Sequence, residues 1–269
     1  IFLGPSGIGK TETAKVIAKT VYEDEHALIR IDMSEFAEGF NISKLIGAPA
    51  GYVGYKEGSK LTEPVRRKPY SVILLDEIEK AHPEVFNLLL QILEDGHLTD
   101  ASGRKVNFKN TIIIMTSNIG LSRLNQGASI GFDANTEADK KKAQQEYEAI
   151  KEKVLHELRN QFKPELLNRI DKTIVFKPLQ KNSLEKIVKL QLKQAEQKLA
   201  AQDLKLKVNK TAVQAIADKS YHPDQGARAV RRTIQEEIEN KIAQALLDGT
   251  FTKGDNITVT AKGKNIIIS

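Results

Sequence analysis

The chain contains no cysteine. This excludes disulfides, thiolate catalysis and cysteine-ligated zinc, and it fits a reducing, cytoplasmic setting. No apolar run approaches the roughly 20 residues of a membrane-spanning helix, and no charged-then-apolar leader opens the sequence. Internal repeats and low-complexity tracts are missing as well. Aromatic residues make up only 6% of the chain, with no stripe of basic and aromatic side chains for stacking nucleic-acid bases. One-sided charge is also lacking: 41 Lys and Arg against 35 Asp and Glu leave +6. The charges are interspersed, as in Lys140-Lys141-Lys142 followed by Glu146 and Glu148. They therefore read as solvated helix faces rather than a nucleic-acid patch.

What is present fits a folded, soluble protein, since 40% of the residues are hydrophobic and 28% charged. A length of 269 residues suits one large α/β domain with a small satellite, each able to bury a core. The first residue already lies inside an apolar run, which reads as the beginning of a piece of a longer protein.

The first twenty residues organise the rest. Ile1-Phe2-Leu3 reads as a strand, Gly4-Pro5-Ser6-Gly7-Ile8-Gly9-Lys10-Thr11 as a glycine-rich loop, and Glu12 to Val21 as a helix. That order is the Walker A arrangement. Glycines let successive backbone N–H groups turn inward around a phosphate at the positive end of a helix. Lys10 supplies a mobile positive charge for β- and γ-phosphates, and the Thr11 hydroxyl suits Mg²⁺. The plain alternative is a glycine-rich turn that binds nothing.

Tyr70-Ser71-Val72-Ile73-Leu74-Leu75-Asp76-Glu77 is an apolar run ending in two carboxylates, the pattern of a buried parallel strand opening into an active site. Beside the glycine loop it reads as Walker B: Asp76 for the Mg²⁺ shell, Glu77 to orient and polarise water. His82-Pro83 leads into a helix from Glu84 to Glu94, where His82 is expected as a satisfied polar residue at the helix start. Asp95-Gly96 and Ser102-Gly103 mark turns around a hairpin that includes Val106 and Phe108. Thr111 to Asn118 is another buried strand; its Asn118 amide either holds the attacking water or serves as a turn residue.

Other stretches leave their roles open. Gly47-Ala48-Pro49-Ala50-Gly51-Tyr52-Val53-Gly54-Tyr55 is an exposed loop whose tyrosines either grip a ligand or fold back onto the domain. Ile130-Gly131-Phe132 is either a loop tucked onto the surface or a docking peptide. For Arg169 the residues alone give no role within one chain. At Lys177-Pro178 the pattern changes from parallel-strand runs to amphipathic helices, which divides the chain into a large domain over 1–177 and a small one over 178–269. In the small domain, Asn182 to Ala200, Thr211 to Ser220 and Gly226 to Leu247 read as helices, and Leu204 to Val208, Ile257 to Val259 and Ile266 to Ile268 as strands.

Taken together, these residues resemble the Clp-type AAA+ ATPases, and within them the C-terminal ATPase module of the two-ring ClpB, ClpC and ClpA unfoldases. The similarity covers essentially the whole chain. It rests on GPSGIGKT (Gly4 to Thr11), GAPAGYVGY (Gly47 to Tyr55), LLDEIEKAHPEVFN (Leu74 to Asn87), LTDASGRKVNFKNT (Leu98 to Thr111), IMTSN (Ile114 to Asn118), PELLNRID (Pro164 to Asp171) and GARAVRR (Gly226 to Arg232). Departures are Ala50 where a second proline is usual, Lys163 where arginine is common, Ala229-Val230 where Pro-Leu follows, and Gly39-Phe40 in a segment that is more charged in the family.

The resemblance implies a P-loop α/β domain with a parallel sheet flanked by helices, and a smaller mainly helical domain with a few strands. ATP or ADP with Mg²⁺ would occupy Gly4 to Glu12, with Ile187 a candidate wall for the adenine. Asn118 is implied as sensor 1, Arg169 as the arginine finger reaching a neighbouring subunit, and Arg228 as the sensor 2 arginine. Tyr52 and Val53 are implied as the pore loop that grips a translocating polypeptide, and Phe36 to Ile42 as a secondary pore loop. An aliphatic-Gly-Phe triplet at Ile130-Gly131-Phe132 implies docking on a ClpP-type peptidase and favours a ClpC-like subunit over a ClpB-like disaggregase. The expected assembly is a ring, a hexamer, acting on unfolded or tagged proteins. A nucleic-acid motor and a scaffold that binds nucleotide without hydrolysing it are the readings from other classes.

Overall fold

The computed structural model describes residues 1–48, 58–119, 137–177, 179, 181–221 and 226–269. The chain divides into two units. The first comprises Ile1–Gly4, Gly9–Gly127 and Gln145–Phe176; the second comprises Pro5–Ile8, Ala128–Gln144 and Lys177–Ser269.

In the first unit, short runs of β-branched and aliphatic residues form a five-stranded sheet. Its strands are β1 (Phe2–Leu3), β2 (Leu28–Asp32), β3 (Val72–Asp76), β6 (Ile112–Ser117) and β7 (Ile174–Val175), in the order β2-β3-β6-β1-β7. Every neighbouring pair is parallel. The antiparallel hairpin of β4 (His97–Thr99) and β5 (Lys105–Asn107) forms the turn-flanked excursion expected from Asp95-Gly96 and Ser102-Gly103.

Parallel strands covered on both faces need apolar residues at every position, and β3 supplies them: all five of its residues are buried. Their alternation divides the core in two. Ile73 and Leu75 pack with Leu3, Met115 and the helix Pro83–Asp95 on one face, while Val72 and Leu74 pack with Phe2, Ile114, Ala14 and Ala18 on the other. Ala14 and Ala18 are four apart on the helix Lys10–Tyr22, so their small side chains form one face that lets the helix lie close on the sheet. Registration sets Asp32 opposite Asp76, and Phe2 and Leu3 opposite Thr116 and Ser117. The carboxyl ends of β1, β3 and β6 therefore lie side by side, the edge where open α/β sheets bind ligands.

The first helix begins at Lys10 rather than Glu12, because Gly9, with φ 105°, already makes the turn into it. Lys10 and Thr11 are thereby held on a regular element. His82 caps the helix Pro83–Asp95 by accepting the Glu84 N–H at 3.3 Å, the satisfied role expected of it.

The second unit packs helices Lys181–Ala200, Lys210–Lys219, Ala227–Ile234 and Asn240–Leu247 with a sheet of order β10-β9-β8. Here β8 (Lys205–Val208) runs parallel to β9 (Asn256–Lys262), and β9 returns antiparallel as β10 (Asn265–Ile268). Leu184, Val188 and Leu192 share a helix face and meet Ile216, Val230, Ile234 and Ile257 in one core. The single helix expected over 226–247 is interrupted by a π turn, Gln235–Glu239. Within that turn the Glu237 carboxylate accepts from Lys219 and from Lys241, which together draw its pKa below the ordinary value. No helix among the described residues is long and apolar enough to cross a membrane.

Leu74 is fully buried in the middle of β3, an inner strand of the parallel sheet. Leu74→Ala should lower the unfolding free energy by about 2–5 kcal/mol, read from a denaturant titration, because the sheet cannot collapse onto the cavity.

Candidate functional site

The site is assembled from the loop after β1 and the ends of β3 and β6. Gly4, Gly7 and Gly9 all have positive φ, at 144°, 76° and 105°, and the loop could not take this path with side chains there. Gly9 caps the following helix without a side-chain acceptor, which leaves first-turn N–H groups available to an anion.

Lys10 is buried, and its ammonium is held by acceptors at two sequence distances. It donates to the Gly4 carbonyl at the start of its own loop and to Asn118 Oδ1 at 2.8 Å. The same Asn118 amide donates through Nδ2 to Glu77 Oε1 at 3.4 Å. One amide thus bridges the loop lysine and the second carboxylate of the acidic strand end.

Asp76 is also buried, and three donors fix its carboxylate. Thr11 Oγ1 donates to Oδ2 at 3.4 Å, Arg30 donates to Oδ2 at 2.7 Å, and Thr116 Oγ1 donates to Oδ1. The Thr116 hydroxyl also accepts the Glu77 N–H at 3.1 Å, so it orients both carboxylate residues. Glu77 has φ 59°, a left-handed conformation that a non-glycine residue adopts at a cost. That turn aims Glu77 at Asn118 and starts the 3₁₀ turn Ile78–Lys80. Lys80 then reaches back to Glu77 Oε2, and the carboxylate raises the lysine's pKa above its ordinary value. Glu79 Oε1 accepts the Asn118 backbone N–H at 3.0 Å.

A magnesium ion held with a triphosphate needs one or two protein oxygens, the phosphates supplying most of the rest. Thr11 and Asp76 meet that need, with their oxygens already in contact. Among the described residues no group of three or more His, Cys, Asp or Glu could cage a metal without such a partner.

Other expected site residues lie elsewhere. Glu12 is exposed and pairs with Lys15 at 3.3 Å. Arg169 follows the helix Pro164–Asn168 and pairs with Glu94. In the second unit, Arg228 donates to Ser6 Oγ at 2.6 Å, and Ala227 N–H donates to the Gly7 carbonyl at 2.8 Å. Gly226, at φ 51°, permits that approach, since a Cβ there would sit 2.7 Å from the Gly7 oxygen. Ile187 is half-buried against the second unit's core. In the segment Phe36 to Ile42, Phe36 is a core residue whereas Phe40 is 76% exposed. Tyr52, Val53, Ile130, Gly131 and Phe132 lie outside the described residues.

Sequence reasoning gave no role to Arg30, Thr116, Glu79 or Lys80. Arg30 had a signal, a charge within an otherwise apolar strand; Thr116 had none, because a threonine near a strand end is ordinary.

A glycine loop, a buried lysine and paired strand-end carboxylates on this parallel sheet define a P-loop nucleotide-binding site. The chain belongs to the Clp-type AAA+ ATPases: residues 1–173 match the family described as AAA domain (Cdc48 subfamily), and residues 179–259 match the C-terminal, D2-small domain of ClpB protein. It is 50% identical over 268 residues to the chaperone protein ClpB of Oceanobacillus iheyensis, covering 100% of this chain and 32% of the relative. It is 48% identical over 264 residues to the ATP-dependent Clp protease ATP-binding subunit ClpC of Staphylococcus saprophyticus, covering 98% of this chain and 32% of the relative. The chain thus spans about a third of the length of these relatives. A closed-state cryo-EM reconstruction of Hsp104 with ATPγS and FITC casein superposes with a TM-score of 0.83 at 39% identity, over 99% of this chain and 44% of that one.

Thr116→Val should remove the hydroxyl that serves both Asp76 and Glu77 and leave a buried carboxylate oxygen and an N–H without it. A loss of about 1–3 kcal/mol in unfolding free energy, measured with denaturant, is expected.

Proposed function

We propose that the chain is an ATP-hydrolysing module of a ring-forming protein unfoldase, a cytoplasmic machine that threads polypeptide through a central pore. The observation that carries the hydrolytic part is the Asn118 amide, which joins Lys10 to Glu77 beside the buried Asp76. Lys10 would neutralise charge on the β- and γ-phosphates, and the loop's N–H groups would hold the phosphate chain. Glu77 would accept the proton of the attacking water, with Asn118 fixing the orientation of its carboxylate. Thr11 and Asp76 would hold Mg²⁺, which when bound supplies charge stabilisation to the phosphoryl group.

Arg169 pairs with Glu94 in this chain. By the family resemblance Arg169 would act in trans, on the nucleotide of a neighbouring subunit, and the ring would be a hexamer. Arg228, which already hydrogen-bonds Ser6 of the glycine loop, would sense the nucleotide in cis. Tyr52 and Val53 would grip the substrate, and Ile187 would face the adenine.

Two fates for the substrate stand against each other. The Ile130-Gly131-Phe132 triplet favours delivery to a ClpP-type peptidase, whereas the 50% identity to a ClpB chaperone supports disaggregation without proteolysis. Deleting the triplet should abolish ATP-dependent degradation of casein with the peptidase and leave ATPase intact; degradation that never occurs with the parent favours the disaggregase.

Glu77→Gln should cut ATP hydrolysis by about 10²- to 10⁴-fold while nucleotide still binds. A parental turnover in this variant would remove Glu77 from the chemistry. Arg169→Ala should slow the assembled ring by about 10³-fold or more without altering nucleotide affinity in the isolated subunit; an unchanged rate would rule out the trans role.

A further inference from the structure

The Walker B turn carries one carboxylate that the hydrolytic reading does not use. Glu79 stands two residues beyond Glu77, on the 3₁₀ turn Ile78–Lys80. Its Oε1 accepts the backbone N–H of Asn118 at 3.0 Å, across 39 residues of sequence. Its Oε2 is buried and has no hydrogen-bond partner.

A carboxylate is a costly way to satisfy one amide. A buried, unpaired carboxylate oxygen is destabilising, so the Oε1 contact is kept against a local cost. Glu79 is presented there by the left-handed turn at Glu77, itself a strained conformation. Two local costs therefore converge on a single contact. That contact fixes the backbone of the residue whose side chain bridges Lys10 at 2.8 Å and Glu77 at 3.4 Å.

The chain of contacts closes on itself. Glu77 turns the backbone, Glu79 holds Asn118 by its N–H, and the Asn118 amide returns to Glu77. Releasing the backbone end lets the amide drift relative to both Lys10 and Glu77. An approach error of about 1 Å in a reacting group can cost about 10²-fold in rate.

We propose that Glu79 is a positioning residue for ATP hydrolysis, acting through the Asn118 backbone to aim the Glu77 carboxylate at water. The proposal rests on the hydrolytic reading of the site above. It requires the acceptor atom at its present reach; the negative charge is incidental.

Three variants of the full-length protein separate acceptor from charge. Glu79→Gln keeps an acceptor oxygen at the same reach and removes the charge. Glu79→Asp keeps the charge and withdraws the oxygen by about 1.5 Å, one carbon–carbon bond. Glu79→Ala removes both. Steady-state ATPase gives kcat and KM, and titration with N-methylanthraniloyl-ADP gives nucleotide affinity.

Glu79→Ala and Glu79→Asp should each lose about 10- to 100-fold in kcat. Their KM and nucleotide affinity should stay within about twofold of the parent, and Glu79→Gln should recover to within about threefold in kcat. Three results overturn the proposal: a parental kcat in Glu79→Asp, a parallel fall of kcat and affinity, or an inactive but folded Glu79→Gln. If Glu79→Ala does not fold, the Asp and Gln pair decides alone. An unsubstituted protein that binds the fluorescent nucleotide without hydrolysing ATP overturns the hydrolytic reading and this proposal with it, a result recognised before any variant is compared.

Discussion

Two opposite charges are buried where the carboxyl edge of the parallel sheet meets the first helix, and the structure of the first unit around them depends on keeping each one partnered. Lys10 and Asp76 are each 7% exposed. Ions removed from water are tolerated only when hydrogen bonds and counter-charges surround them. The structure meets that demand with neutral groups as well as charged ones: the Gly4 carbonyl and Asn118 amide for the lysine, and the Thr11 and Thr116 hydroxyls with Arg30 for the aspartate. Gly4 follows β1, Thr116 lies at the end of β6 and Asn118 just after it, Arg30 lies within β2 and Thr11 in the first turn of the first helix. Their registration is what makes the site possible.

The same registration explains why the edge is polar while the strands behind it are not. β3 buries all five of its residues, so its only functional output is at the tip, where Asp76 ends the strand and Glu77 leaves it. The left-handed backbone at Glu77 is stabilised by Thr116 on the neighbouring strand, which accepts its N–H. Strain at the tip is thus supported by the sheet, an arrangement suited to holding a carboxylate still. The Lys80 and Asn118 contacts place one partner on each Glu77 oxygen, which leaves each oxygen a further lone pair for water.

The second unit follows a different logic. Its helices and three-stranded sheet close their own apolar core, and Gly226 and Arg228 lie at the start of one of its helices. They engage Ser6 and Gly7 of the glycine loop's crest. The π turn at Gln235–Glu239, with Glu237 between Lys219 and Lys241, lies further along the same helical run.

The sequence by itself determined the elements with strong local signatures. The glycine loop, the apolar run ending at Asp76-Glu77, the Pro83 helix start and the Asp95-Gly96 turn are each dictated by chemistry within a few residues, and all are found in the fold. Continuous apolar runs likewise identified buried parallel strands. Tertiary structure alone decided which strand ends meet, since the β2-β3-β6-β1-β7 order joins residues as far apart as Lys10 and Asn118. It also decided the roles of Thr116, Arg30 and Glu79, which are ordinary residues until a neighbouring strand is set beside them. The π turn and the left-handed Glu77 were equally invisible, because neither glycine nor proline marks them. Local propensity reads one segment at a time, whereas partners for buried charges are chosen by geometry across the sheet.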